Sequence, residues 1–189
     1  MPFKFAGGGI VGYASICGTI VAAGAAIEYA FGHKAAKKIM RHLMRWYEVT
    51  PFPTEEANRF AAEGKFYTKG KTTKVLPSVE GDSVLCHVVV SRWCQKTGYA
   101  SGSKERSERC ARIAGAVARQ AVLFMNAYAR GEDLDKVFPF KLSSYTQSCR
   151  KCHYKGKHPE QGQFERGFME CSTCHEQNLQ VILSEKKFK

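Results

Sequence analysis

Two five-residue segments hold the clearest chemistry in this 189-residue chain: Cys149-Arg150-Lys151-Cys152-His153 and Cys171-Ser172-Thr173-Cys174-His175. Each offers two thiols that can add across the vinyl groups of a haem, followed directly by an imidazole that can reach the iron as proximal ligand. The rival chemistry is zinc. Cys149, Cys152, Cys171 and Cys174 are spaced C-x2-C-x18-C-x2-C, which suits a four-thiolate ribbon. The residue after each pair discriminates. Only 6 of the 189 residues are His, so His after both pairs by chance is on the order of one in a thousand, and zinc knuckles tend to place Gly there. The expectation is therefore two haem c, one per motif.

Each haem iron needs a sixth ligand or stays open. His33, His42, His87 and His158 remain, with Met40, Met44 and Met169 as further candidates. His158 ranks first because it lies in the short segment between the motifs. It follows His153 by five residues, a reach of only ~17 Å when fully extended. Passing from one haem face to the other in that span is barely feasible, so His158 is expected to serve the second haem or a haem of another subunit.

Four more cysteines stand outside the motifs. Cys86, Cys94 and Cys110 are spaced C-x7-C-x15-C, and Cys17 lies alone near the N-terminus. Cys86 and Cys94 would be ~12 Å apart on one straight helix and farther apart on a strand, so a shared metal site requires the chain to bend between them. Cys110 lies on an apolar stripe and points inward. Unrelated buried thiols and structural disulfides are the competing readings.

Three features occur together: the C-x7-C-x15-C segment Cys86-His87-Val88-Val89-Val90-Ser91-Arg92-Trp93-Cys94…Cys110, the Gly7-Gly8-Gly9-Ile10-Val11-Gly12…Ile16-Cys17-Gly18 segment, and the two C-terminal Cys-x-x-Cys-His motifs. In combination they resemble the split-Soret cytochromes c of sulfate-reducing bacteria, and the N-terminal part resembles the wider redox family named for a C-GCAxxG-C-C pattern. The resemblance implies a homodimer with two bis-His c-type haems per subunit, haems clustered near the interface, and a ligand crossing between subunits. It also implies a [2Fe–2S] cluster on Cys86, Cys94 and Cys110, with Cys17 as candidate fourth ligand. With cluster and haems at opposite ends, His87 is tied to the cluster by its neighbour Cys86, which directs the second distal haem ligand to His33, with His42 as the alternative. The chain departs from the pattern at its start: Ile16 stands where a Gly belongs, and nothing upstream of Cys17 is Cys.

These groups must be held by elements that the periodicity outlines. Residues 5–27 carry no charged side chain and contain six glycines. A buried Gly/Ala-rich helix ending near Gly32 is favoured there over a signal peptide or a membrane anchor. The match of Gly7, Gly9 and Gly12 to a dinucleotide fingerprint is discounted, since six residues cannot supply the strand it needs. A second helix is expected over 33–47, stopped by Pro51 and Pro53, and a short one after Thr54. Residues 65–81 read as a loop, and 83–95 as helix or strand. The clearest helix opens at Ser103, carries Cys110, Ile113, Val117, Ala121, Phe124 and Tyr128 on one face, and ends at Gly131. Beyond about residue 142 periodicity fades, until an amphipathic piece and a basic tail close the chain.

The expected architecture is mainly α: a helical iron–sulfur domain at 1–140, then a small, irregular dihaem segment at 141–189. The 29 Lys and Arg exceed the 17 Asp and Glu, giving +12. Haem propionates and thiolates would lower that figure, and the basic residues are scattered, so nucleic-acid binding is not expected. The function expected is outer-sphere electron transfer in anaerobic respiration, with no enzymatic activity and an unidentified redox partner protein. The alternatives are a multihaem reductase subunit with one open haem, and a zinc-ribbon binding module. Haem attachment in bacteria occurs outside the cytoplasm, so a periplasmic location is expected; with no evident export signal, the start is expected to be truncated or already processed.

Overall fold

The computed structural model describes residues 3–66 and 70–175. They fall into two compact units, Met1–Phe140 and Lys141–Lys189. The amphipathic piece and basic tail expected beyond Glu176 lie outside the described residues.

The first unit is built on two long helices, α1 (Gly18–Val49) and α4 (Lys104–Ala129). Helix α1 is interrupted at Gly32, whose φ of 75° and ψ of 169° leave the helical region. The chain turns back there. Met40 Cε lies 3.1 Å from where a Cβ on Gly24 would sit, whereas sixteen residues of straight helix would separate the two by ~24 Å. The two segments expected from the sequence thus form the arms of a helical hairpin. Ala35, Ala36, Ile39, Leu43 and Tyr47 of the second arm recur at helical spacing and share one core with Ile20 and Ile27 of the first and Ile113, Val117, Ala121, Phe124 and Ala127 of α4.

Helix α4 starts where Ser103 Oγ accepts from Arg106 N at 3.1 Å and carries Glu105 in its first turn, both favourable to a helix N-terminus. Shorter elements fill the flanks: β1 (Pro51–Phe52) pairs antiparallel with β2 (Val79–Glu80), and α2 (Glu55–Ala62) is capped by Thr54. Helix α3 (Cys86–Thr97) resolves the ambiguity over 83–95 in favour of helix and closes on Gly98. Trp93 of α3 is fully buried with Leu76 and Val79, donates Nε1–H to Pro77 O at 2.8 Å and stacks on Tyr99. Helix α5 (Leu134–Val137) follows α4.

The first turns of α4 bury charge. Arg112 is 1% exposed, and its Nε donates to Glu108 Oε1 at 3.0 Å. Its Nη1 donates to Asn58 Oδ1 at 2.7 Å and Lys74 O at 2.9 Å, and its Nη2 to Thr72 O at 2.7 Å. Glu108 Oε2 accepts from Lys71 N at 2.6 Å. Every polar atom this pair withdraws from water is therefore returned a partner, the condition under which a buried ion pair is tolerated.

In the second unit, α6 (Ser144–His153) is capped by Ser143, whose Oγ accepts from Thr146 N at 3.1 Å. A 3-10 turn at Pro159–Gln161 and the one-turn helix α7 (Ser172–His175) follow. The Glu170 carboxylate accepts from Ser143 Oγ at 2.5 Å and from Thr146 Oγ1, while Thr146 Oγ1 accepts from Cys171 N at 2.9 Å. This buried knot anchors Cys171 to the start of α6. Among the described residues no helix is long and apolar enough to cross a membrane.

Candidate redox sites

In the first unit, Cys17 and Cys86 are brought together by backbone pairing. Cys17 is the N-cap of α1 and Cys86 the first residue of α3. Ile16 and Leu85 form an antiparallel bridge, with Cys17 N donating to Val84 O at 2.9 Å and Cys86 N to Ser15 O at 2.6 Å. The glycine run folds over this bridge: Ser15 N and Oγ both donate to Gly9 O, at 3.0 and 2.8 Å. At Gly9 φ is +69°, and a Cβ would lie 2.7 Å from Cys86 Cβ. Only glycine fits there.

The third thiol comes from α4. Cys17, Cys86 and Cys110 line one cavity of about 620 Å3 together with Tyr47, Arg106, Arg109 and alanines of α1 and α4. The groups sense one another electrostatically. Burial pushes the Cys86 thiol up, Cys17 and Cys110 add to the rise, and Arg106 and Arg109 oppose it. Burial also raises Tyr47 well above the ordinary phenol range, with Cys17 contributing by charge and by a hydrogen bond. Among the described residues no three Cys, His, Asp or Glu side chains stand at ligating distance around one point. The thiols share a chamber, and binding a metal would draw them inward.

Cys94, expected beside Cys86 and Cys110, does not line this cavity. It packs with Trp93 against Leu76 and Val79. Cys86 and Cys94 both lie on unbent α3, and eight residues of helix carry the second thiol ~12 Å past the first. Cys17, the expected candidate fourth ligand, lines the cavity with Cys86 and Cys110, and Cys94 acts electrostatically on the same Arg109. Sequence reading also missed Arg109. It is 1% exposed, and its Nε, Nη1 and Nη2 have no hydrogen-bond partner among the described residues. Burial works against its charge, the Trp93 ring lies 5.4 Å from the guanidinium carbon, and Cys110, Tyr47, Cys17 and Cys94 favour the charged form electrostatically. The available signal was its place beside Cys110, four residues before Ile113 on the inward stripe.

The motif residues of the second unit are differently disposed. Cys152, His153, Cys174 and His175 are exposed and Cys149 and Cys171 partly buried. Cys149 and Cys171 face each other: burial raises the Cys149 thiol, and the Cys171 sulfur, sharing a hydrogen bond with it, raises it further. His153 Nδ1 lies 3.1 Å from Gly162 O, which fixes the ring with Nε2 directed away from that partner, as ligating imidazoles require. A Cβ on Gly162 would sit 2.8 Å from this same Nδ1, and the residue holds φ at +79°. Gly162→Ala is expected to swing His153 off its carbonyl, visible as a shift of the His153 imidazole resonances in the NMR spectrum.

The remaining histidines are scattered. His158 Nδ1 lies 3.1 Å from Glu160 Oε1, and His33 Nδ1 3.2 Å from Glu28 Oε1; both rings are exposed. His42 is buried between Phe124 and Phe140, its Nδ1 2.8 Å from Phe138 O. His87 is exposed at the second position of α3.

Residues 3–123 match the family described as "Putative redox-active protein (C_GCAxxG_C_C)". The chain is 36% identical over 170 residues to split-Soret cytochrome c of Desulfovibrio desulfuricans, covering 89% of itself but 56% of that protein. A solved structure described as a novel iron centre in the split-Soret cytochrome c of that organism superposes with a TM-score of 0.71 at 32% identity, over 89% of this chain and 65% of the other. The chain therefore spans little more than half the length of the curated relative. The resemblance drawn from the motifs and the mainly α fold both stand. The expected cofactor set, two haem c together with one [2Fe–2S] cluster, does not stand as a set and is corrected at the cluster: the solved relative is described by a novel iron centre, and here three thiols, not the four of an ordinary [2Fe–2S] site, share the cavity. The matched residues 3–123 hold all three cysteines of the chamber and stop short of both Cys-x-x-Cys-His motifs, and the chain belongs to the C_GCAxxG_C_C family.

Proposed function

We propose that this protein transfers electrons, with haem attached covalently at Cys149/Cys152 and Cys171/Cys174 and an iron centre seated among Cys17, Cys86 and Cys110. The observation that carries the haem assignment is His153: an exposed imidazole, held through Nδ1 and free at Nε2, directly beside an exposed cysteine. The apolar side chains around it support the reading. Phe164 is 74% exposed and lies 6.2 Å from the His153 ring, and Phe168 and Met169 are also exposed, a surface that an apolar macrocycle would cover. In the chamber, three soft thiol donors suit iron, which would hold them deprotonated, and Arg109 supplies an unmatched positive charge. Bound haem and iron supply one-electron chemistry; the polypeptide supplies ligands, hydrogen bonds to them and exclusion of water, which together set the potentials.

The test is the absorption spectrum of the full chain produced with haem c maturation. Colour that stays with the protein through acid–acetone extraction is expected, and Cys152→Ser should lower covalently bound haem while Cys174→Ser lowers the remainder. A colourless protein that binds zinc through the same cysteines would overturn the haem assignment. Iron equal to the haem count in anaerobically prepared protein would overturn the iron centre.

A further inference from the structure

Two arginines in the first turns of α4 are equally buried and differently treated. Arg112 has four hydrogen bonds to side chains and carbonyls. Arg109, one turn earlier, has none among the described residues and lines the chamber of Cys17, Cys86 and Cys110. An uncompensated cation in a protein interior is strongly unfavourable, and the Trp93 face supplies only a partial offset. Among the described residues the acidic side chains near it on α4 have other partners, Glu108 with Arg112 and Lys71 and Glu105 with Lys74 Nζ at 3.7 Å, which leaves the thiols and Tyr47 as the groups that favour its charge.

We propose that Arg109 is the outer-sphere cation of the iron centre, its guanidinium donating hydrogen bonds to the anionic sulfurs around the iron and holding the reduction potential up. This inference rests on the iron centre proposed above and adds a positioning residue to it. A fixed positive charge stabilises the more negative, reduced form of a thiolate-bound centre. Donation to the sulfurs acts in the same direction, because it withdraws electron density from the metal. The guanidinium is suited to this role, being always charged and presenting several donors in a fixed plane.

The experiment is a redox titration of the non-haem iron signal by electron paramagnetic resonance, on the full chain prepared anaerobically as wild type, Arg109→Met and Arg109→Lys. At the wild-type midpoint, the ratio of reduced to oxidised centre in Arg109→Met is expected to fall about tenfold, a shift of ~59 mV to more negative potential for a one-electron couple. Arg109→Lys, which keeps the charge, should recover most of it. If Arg109→Met loses its iron, retention by Arg109→Lys supports the proposal equally, and loss in both overturns it. An unchanged midpoint and spectrum in Arg109→Met overturns the role of Arg109 and leaves the iron centre standing, whereas wild-type protein with no iron beyond its haem removes both. A thermal melt after chelation of the non-haem iron separates a structural role. Without the centre Arg109 is an unmatched buried charge, so Arg109→Met should melt no lower than wild type, and a marked fall would overturn the proposal.

Discussion

Arg112→Ala is expected to lower the melting temperature by on the order of 10 °C. The substitution strands the Glu108 carboxylate, itself 2% exposed, and removes donors from Asn58 Oδ1 and the carbonyls of Thr72 and Lys74. Removing one member of a buried pair costs about 3–5 kcal/mol, and a chain of this size loses roughly 2–4 °C per kcal/mol. The loop at 71–76 hangs on this side chain and on Asn58, which donates to Leu76 O at 2.8 Å, so that loop should become the first site of proteolysis. The reference is Arg119→Ala. Its pair with Glu56 is 56% and 37% exposed, and such surface pairs contribute at most about 1 kcal/mol. Equal melting temperatures for the two variants would show that the buried network does not stabilise the fold.

Gly9→Ala is expected to damage the three-cysteine chamber while leaving the helical core in place. A side chain at a φ of +69° costs about 1–2 kcal/mol in itself, and forcing a methyl against Cys86 Cβ and the Ser15 amide adds about 1–3 kcal/mol of overpacking. The strand bridge that sets Cys86 beside Cys17 has to give way, so non-haem iron content should fall sharply and Cys86 should react faster with alkylating reagents. Gly12→Ala is the matched control. It has a φ of +84° but nothing within 4 Å of its added Cβ, so it should carry the strain without the loss of iron. Iron retained at the wild-type level in Gly9→Ala would disconnect the glycine run from the site.

The attachment motifs were legible in the sequence because their chemistry is local: two thiols and an imidazole within five residues need no fold to be recognised. The α4 stripe was legible for the same reason, since one face of a 3.6-residue period shows itself over seven turns. The turn at Gly32 was harder to read, because a break between two helical patterns does not say in which direction the second continues. The cysteine set of the chamber depended on whether 83–95 is helix or strand, and composition there does not decide. Once α3 is a straight helix, its rise separates Cys94 from Cys86, and the solitary Cys17 becomes the third member through a backbone bridge that no periodicity announces. Arg109 illustrates a signal that could have been used. Glu105, Glu108, Arg109 and Arg112 occupy the buried face of α4 where apolar residues belong, and charge at such positions marks either a network or a ligand.

The bridge between Ile16 and Leu85 also governs the order of events during folding. It joins segments that lie far apart along the chain, and closing so long a loop carries an entropic cost that is repaid only when the helices between its ends have packed. Cys17 and Cys86 meet through that closure, and Cys110 joins them only when α4 docks on the hairpin. Before then the three thiols are independent, each with the weak and unselective metal affinity of an isolated cysteine. If the proposed iron centre forms there, metal loading would follow chain collapse, and incorporated iron would report that the closure between Ile16 and Leu85 has been made.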